Sequence, residues 1–270
     1  MRRRPEAASL SGSIAPTWRW SFDLVPTGIY SEPAMSRPKR GDLFSVTIDD
    51  LAFGGDGVGR IDGYVVFVRG GIPGDRLRVR LIQAQPRFAR GVIEEVEVPS
   101  PDRVEAPCPY FGRCGGCRLQ HVAYPAQLAF KAKQVNDCLA RIGGLSHVRV
   151  LPIIGAPEIF AYRNKMEFTI ARAGKGDRTR EGRVAGGGVP DAEPRAERDE
   201  GGEVVVGLHE ADRYDVVLDI ERCLLQSEAL NTLLREVKLL VRDEALTVYD
   251  QETGEGLLQD LAAVALGSLG

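Results

Sequence analysis

Three cysteines within ten residues constrain this chain more than any other feature. Cys108, Cys114 and Cys117 stand in the order Cys-x5-Cys-Gly-Gly-Cys. Glycines let a backbone turn tightly enough to direct successive sulfurs toward one centre, and this kind of spacing is typical of loops that bind an iron-sulfur cluster or a zinc ion. The sequence therefore predicts a metal-binding loop, and the spacing alone leaves both metals open.

A fourth thiol is needed to complete such a site, and only two other cysteines are present. Cys223 follows a strand-like run and precedes a helix start, so a rigid support can hold its sulfur. Cys138 lies beside Val135 and Ile142 on the apolar stripe of a predicted helix, which favours a core position. We therefore expect Cys223 to be the fourth ligand. Buried free cysteines are the alternative, and their clustering around glycines disfavours it.

Composition places the chain among globular proteins of a reducing compartment. It has 270 residues, a mass of 29.4 kDa and a formal charge of -3, which suits about two domains. Five cysteines in a chain of this length disfavour a secreted disulfide framework, so we expect a cytoplasmic protein. No stretch is apolar enough to span a membrane.

The N-terminal half divides into a leader and a β-rich domain. Residues 1–40 mix proline, serine and arginine, with a second methionine at Met35, which indicates a disordered leader or a start codon placed too early. Residues 41–100 contain short β runs at 43–48, 64–68, 76–82 and 91–96, separated by glycine-rich turns, and such a series predicts a small β-barrel. Gly55, Gly57 and Gly59 lie between β runs and are explained as turn glycines, since a dinucleotide cradle needs a helix after it.

One predicted strand carries a row of cations. Arg76, Arg78 and Arg80 alternate with apolar residues, so a strand period of two places them on one face, and Arg87 and Arg90 follow. Inside an acidic protein this favours a local phosphate-contacting surface over a general polyanion-binding one. An ordinary solvated strand face is the alternative.

Residues 101–270 predict an α+β domain. A helix from Pro125 is expected to end at Gly143, strands are expected at 204–208 and 216–220, and Ser227 is expected to cap a second helix with a leucine-rich stripe. Residues 172–202 show no periodicity and predict a disordered insertion. Arg163 and Lys165 open a further strand, where they can make a phosphate or base contact or form a polar strand entry.

Five motifs, in order, make the chain resemble the iron-sulfur RNA (uracil-5-)-methyltransferases, over about residues 41–258. They are Phe53-Gly-Gly-Asp-Gly-Val-Gly, Cys108-x5-Cys114-Gly-Gly-Cys117-x2-Gln120-His121, Tyr162-Arg-Asn-Lys165, Gly207-Leu-His209 and Asp219-Ile-Glu-Arg-Cys223. The resemblance implies an OB-like barrel, the TRAM domain, that binds RNA. It also implies an α+β central domain in which the four matching cysteines hold a 4Fe-4S cluster.

The same resemblance implies S-adenosylmethionine as methyl donor and ribosomal RNA, 23S in particular, as partner; no DNA partner is expected. In this family the catalytic residues lie in a C-terminal Rossmann-like domain, which we expect to be absent here, so the chain is interpreted as a truncated and inactive methyltransferase. Gly256-Leu-Leu resembles the family, but the stretch from Gln259 onward departs from its pattern. A truncation, a shifted reading frame near residue 258 and a naturally short paralogue each account for this departure. The alternative is a non-enzymatic, metal-containing RNA-binding module. A small electron carrier is disfavoured because plant-type ferredoxin spacing is Cys-x4-Cys-x2-Cys.

Overall fold

The computed structural model describes residues 37–173, 203–250 and 253–265. From Pro38 onward these residues belong to one compact unit. Most of the predicted leader, at 1–36, and most of the predicted insertion, at 174–202, lie outside the described residues. Within the described ranges no helix has the length and apolar character needed to cross a membrane.

The N-terminal part is a closed five-stranded barrel with the strand order β1-β2-β3-β5-β4. Its strands are β1 (Leu43–Leu51), β2 (Gly57–Ile61), β3 (Tyr64–Val68), β4 (Arg76–Ala84) and β5 (Phe88–Val98). Neighbouring strands are antiparallel except for β3 and β5, which run parallel. The predicted small barrel is thereby confirmed.

Burial alternates along β4. Leu77, Val79 and Leu81 are buried in the barrel core, whereas the arginines between them point outward. The two-residue period predicted for this strand is confirmed. The same core contains Val46, Ile48, Ile61, Val66, Val68, Ala89 and Ile93.

Strand β2 was not predicted, because its glycines were interpreted as turn residues. A Cβ atom at Gly59 would lie 2.5 Å from the carbonyl oxygen of Thr47, and one at Gly57 would lie 2.6 Å from that of Gly71. Glycine is therefore required where β2 approaches its neighbours closely, and it removes the apolar alternation by which a strand is recognised. β3 follows β2 directly, so no helix opens after this glycine-rich stretch.

The second part of the molecule is α+β. Its antiparallel sheet has the order β8-β7-β6-β9, and the predicted strands at 204–208 and 216–220 are confirmed. The elements are α1 (Tyr124–Asp137), β6 (Lys165–Arg172), β7 (Val204–Glu210), β8 (Arg213–Asp219), α2 (Glu228–Asp243) and β9 (Asp260–Val264). β9 lies in the stretch that departs from the family pattern, and it pairs with β6 at the sheet edge.

The predicted core position of Cys138 is wrong. α1 ends at Asp137, and Cys138–Ile142 forms a single π-helical turn. Cys138 is exposed, and Ile142 is 85% exposed. Helical spacing identifies an apolar stripe but does not show whether another element covers it. No residue of the Cys138–Ile142 turn is buried, and Ala126 is the buried residue of α1.

On α2 the prediction holds in part. The Ser227 hydroxyl accepts a hydrogen bond from the Leu230 backbone at 3.4 Å, which confirms the cap. Leu230 and Leu234 are buried against the sheet as predicted. Leu233 and Leu240 are instead 42% and 52% exposed. The stripe is wider than the surface that the sheet covers.

A buried ion pair joins the end of the barrel to the segment that leads to the cysteine loop. Asp75 is fully buried, and its carboxylate accepts hydrogen bonds from Arg103 Nε at 3.0 Å, Ile72 N at 2.8 Å and Ser100 N at 2.9 Å. Arg103 also donates to the carbonyl of Gly70 at 2.7 Å. Burial alone would raise the pKa of Asp75, but these hydrogen bonds outweigh it and hold the pKa below its ordinary value.

Candidate metal centre and nucleic-acid interface

All four predicted ligands line one pocket. Cys108, Cys114 and Cys117 lie on the loop between β5 and α1, and Cys223 lies between β8 and α2. The pocket measures about 410 Å³ including its open mouth. Its apolar wall consists of Phe111, Met166, Leu208, Ile220, Leu224 and Leu225. The fold therefore brings together the four thiols that the sequence assigned to one site.

The cysteine loop is fixed along its length by backbone hydrogen bonds. Cys114 N donates to the Tyr110 carbonyl at 2.8 Å, and Gly115 N donates to the His209 carbonyl of β7 at 3.0 Å. The Tyr110 hydroxyl accepts a hydrogen bond from Glu221 N at 3.0 Å, next to the segment that carries Cys223. These contacts attach the loop to the end of strand β7 and to the fourth cysteine's segment.

A buried asparagine of α2 holds the backbone of Cys223 at two points. Asn231 is 1% exposed, its Oδ1 accepts from Cys223 N at 2.9 Å, and its Nδ2 donates to the Cys223 carbonyl at 3.2 Å. Gln226 Nε2 also donates to Asn231 Oδ1, at 2.7 Å. The sequence reasoning missed both amides, and an asparagine inside the apolar stripe of α2 was the available signal.

A buried lysine of α2 fixes the residues before Cys223. Lys238 is 3% exposed and lies 2.8 Å from an Asp219 carboxylate oxygen and 2.6 Å from one of Glu221. Its ammonium also donates to the Ile220 carbonyl at 3.3 Å. With Asn231 it holds both ends of this segment, so the position of the fourth sulfur is set by the packing of α2.

Burial governs the electrostatics of the thiols. It raises the pKa of Cys114 to about 11, and it also raises the pKa values of Cys108 and Cys117, with the neighbouring cysteines adding to the effect. These three loop thiols are therefore protonated near neutral pH unless a cation compensates their charge. A thiophilic metal must displace these protons when it binds.

The donor set fits a thiolate-bound metal group. Gln120 Nε2 donates to Cys117 Sγ at 3.1 Å, and Gly116 N donates to Cys114 Sγ at 3.4 Å. Such donors stabilise negative charge on sulfur. Among residues 37–173, 203–250 and 253–265, no group of three or more cysteine, histidine, aspartate or glutamate side chains is already arranged to hold a metal ion. Ligation by the four cysteines thus stays a prediction.

His121 follows the loop but is not one of the residues that line the pocket. Its ring is buried, and burial together with the charge of Arg103 lowers its pKa to about 4. The imidazole is therefore neutral at pH 7, and its Nε2 lies 3.0 Å from the Gly70 carbonyl at the end of the barrel. This histidine packs between the two parts of the molecule.

The two predicted RNA contacts at the start of β6 have different surroundings. Arg163 lines the thiol pocket, where its guanidinium lies 3.4 Å from Met166 Sδ. Lys165 is exposed and ion pairs with Glu167 at 2.7 Å. Arg163 thus supplies positive charge beside the thiols, and a contact with RNA stays a prediction for both residues.

Acidic residues of β5 neutralise the arginine row of β4. Arg76 ion pairs with Glu97 at 3.0 Å, and Arg80 ion pairs with Glu94 at 2.5 Å. The remaining arginine, at position 78, is paired in register with position 95, a third glutamate. The sequence pattern gave no sign of this pairing, because strand register was not available from it. The predicted phosphate contacts of this row remain untested.

Comparison with known families identifies the barrel. Residues 37–93 match the family model of the TRAM domain. The matched range contains β1 to β4 and the first half of β5, which is the closed barrel described above. The TRAM domain expected from the sequence resemblance is thereby supported.

Curated relatives are named as RNA methyltransferases. An uncharacterized RNA methyltransferase of Halalkalibacterium halodurans is 37% identical over 224 residues, which cover 83% of this chain and 43% of the relative. One of Gloeobacter violaceus is 34% identical, covering 82% of this chain and 43% of the relative. The chain therefore spans less than half the length of these relatives.

A solved structure matches at lower identity. It is the tRNA (uracil-54, C5)-methyltransferase of Pyrococcus abyssi in complex with S-adenosyl-L-homocysteine, 24% identical, with a TM-score of 0.49. The match covers 81% of this chain and 42% of that one.

Proposed function

We propose that this chain is the RNA-binding and metal-binding part of an S-adenosylmethionine-dependent RNA (uracil-5-)-methyltransferase that acts on ribosomal RNA, specifically 23S. The similarity to RNA methyltransferases over 83% of the chain is the observation that carries the proposal. Those relatives are more than twice as long as the matched part, so methyl transfer is proposed for the whole protein. The thiol site suits a reducing cytoplasm.

For the thiol pocket we propose one 4Fe-4S cluster held by Cys108, Cys114, Cys117 and Cys223. The four sulfurs share a pocket, N–H groups point at two of them, and Arg163 and Arg222 line the same pocket. The arginines offset the negative charge that four thiolates bring. A bound cluster would cross-link the loop before α1 to the segment before α2, and it would stabilise the fold by that connection.

RNA binding by the 270-residue chain should weaken steeply as salt rises, since phosphate contacts release counterions. The log-log salt slope is that of the logarithm of the binding constant against the logarithm of the salt concentration. In the triple variant Arg76→Ala, Arg78→Ala and Arg80→Ala, we expect the magnitude of this slope to decrease by at most about two units, because each contact with single-stranded RNA contributes roughly 0.7. Fluorescence anisotropy with a single-stranded ribosomal RNA fragment measures both slopes. An unchanged slope would show that these three arginines do not contact RNA phosphates.

Methyl transfer tests the proposed activity directly. Uracil C5 methylation needs a cysteine thiolate that adds to C6 and a base that removes the C5 proton. Four of the five cysteines are assigned to the cluster, and Cys138 is exposed and does not line the pocket. We therefore expect no transfer from labelled S-adenosylmethionine to unmodified 23S RNA by this chain alone.

The same assay decides between the two functional classes. Activity that appears when the chain is joined to the remaining part of a full-length relative supports the methyltransferase. A joined protein that folds and binds RNA but methylates no uracil favours a non-enzymatic RNA-binding module. Methylation by the 270-residue chain itself would contradict the assignment of its cysteines.

A further inference from the structure

We infer that the barrel holds single-stranded RNA on an aromatic surface made of Phe53, Phe67, Phe88 and Arg90, with bases stacked on the rings. This inference rests on the proposed RNA-binding function and names the part of the barrel that performs it. The surface lies on the loop between β1 and β2 and on the outer sides of β3 and β5. It is distinct from the arginine row of β4.

Phe53 is presented to solvent by a well-defined loop. Its side chain is 90% exposed, although a phenylalanine ring gains free energy by leaving water. The loop is closed by a hydrogen bond from Ala52 N to the Asp56 carbonyl at 2.8 Å. Gly54 and Gly55 have φ values of 104° and 96°, which are accessible to glycine, and Gln134 of α1 donates to the Ala52 carbonyl at 3.2 Å. The ring therefore stands on a supported turn.

A single exposed aromatic ring is common on protein surfaces, but strands β3 and β5 of the same barrel carry further aromatic and cationic side chains. Phe67 and Phe88 pack edge to face, with ring centroids 5.7 Å apart. The Arg90 guanidinium lies 5.9 Å from the Phe67 centroid. Arg90 also ion pairs with Asp56 at 3.1 Å, and this contact ties the pair of rings to the loop that carries Phe53.

The chemistry of this surface suits unpaired bases. Aromatic rings stack on every base, and arginine supplies both a planar stacking partner and a phosphate contact. Five-stranded barrels of the OB type bind oligonucleotides on the face of strands 2 and 3 and on the loop between strands 1 and 2. The arginine row of β4 is less suited to binding unpaired bases, because its arginines face glutamates and the strand contains no aromatic residue.

Replacing Phe53 with alanine tests the inference in the 270-residue chain. With a labelled single-stranded RNA of about twelve nucleotides, we expect Kd to rise about 5- to 150-fold, the effect of losing one base stack. The log-log salt slope should stay unchanged, since no charge is removed. Phe53→Trp should bind like the unsubstituted chain. Ile154→Ala is the matched control, because Ile154 is 95% exposed and lies outside the aromatic surface.

The outcomes separate this inference from the proposed function. If the unsubstituted chain binds RNA and Phe53→Ala binds equally well, the aromatic surface is overturned and RNA binding stands. If the unsubstituted chain binds no RNA, both the aromatic surface and the proposed RNA-binding function are contradicted. An equal loss of affinity for single-stranded RNA and for duplex RNA of the same sequence also overturns the inference, because duplex bases are already stacked. Unchanged melting temperatures of the variants exclude misfolding as the cause of a loss.

Discussion

Cys223→Ala is expected to abolish cluster binding, whereas Cys138→Ala is expected to leave it intact. Cys223 lines the pocket with the three loop cysteines, and Cys138 lies on an exposed π-helical turn. The anaerobically purified chain should contain about four iron and four sulfide per polypeptide. In Cys223→Ala the iron and sulfide contents should each fall to less than about one per polypeptide, because a cluster with only three protein ligands dissociates more readily. Iron and sulfide analysis with the visible absorption spectrum measures this.

Cys138→Ala is the matched control, since it removes a thiol of the same chain without touching the pocket. Stoichiometric zinc without sulfide in the unsubstituted protein would contradict the cluster and support a zinc site. Cluster loss in Cys138→Ala with retention in Cys223→Ala would contradict the choice of the fourth ligand.

Asp75→Asn should lower the free energy of unfolding by about 3–5 kcal/mol, the cost typical of breaking a buried ion pair from one side. The asparagine keeps the shape of the side chain but leaves the Arg103 guanidinium without its carboxylate partner. It also replaces an acceptor that receives hydrogen bonds from Ile72 and Ser100. Urea denaturation followed by circular dichroism measures the change. Asp62→Asn, at an exposed turn, is the control and should change stability little.

The pH dependence of stability follows from the same carboxylate. The pKa of Asp75 in the folded chain lies below its ordinary value of 3.8. Its contribution is therefore fully present above that value, and it is lost as the pH falls through the folded-state pKa. The stability difference between the unsubstituted chain and Asp75→Asn should shrink in acid below pH 3.8. A difference of less than about 1 kcal/mol at pH 7 would contradict a structural role for the ion pair.

Local patterns predicted much of the fold. The alternation of Arg76, Leu77 and their neighbours identified β4 and its two faces, and the cap at Ser227 located the start of α2. The spacing around Cys114 and the strand before Cys223 assigned the thiols that the structure places at one pocket. These features succeed because each depends on a few neighbouring residues and on the period of one element.

Contacts between distant segments were decided by the tertiary structure. The sequence by itself determined the barrel, the α+β class and the four thiols, because composition, spacing and period encode them locally. Only packing placed Asn231 on the backbone of Cys223, set the β5 glutamates against the β4 arginines and left Cys138 exposed. The side chains that pair across two strands depend on strand register, and the burial of an apolar stripe depends on which element packs over the helix. Local sequence periodicity encodes neither of these.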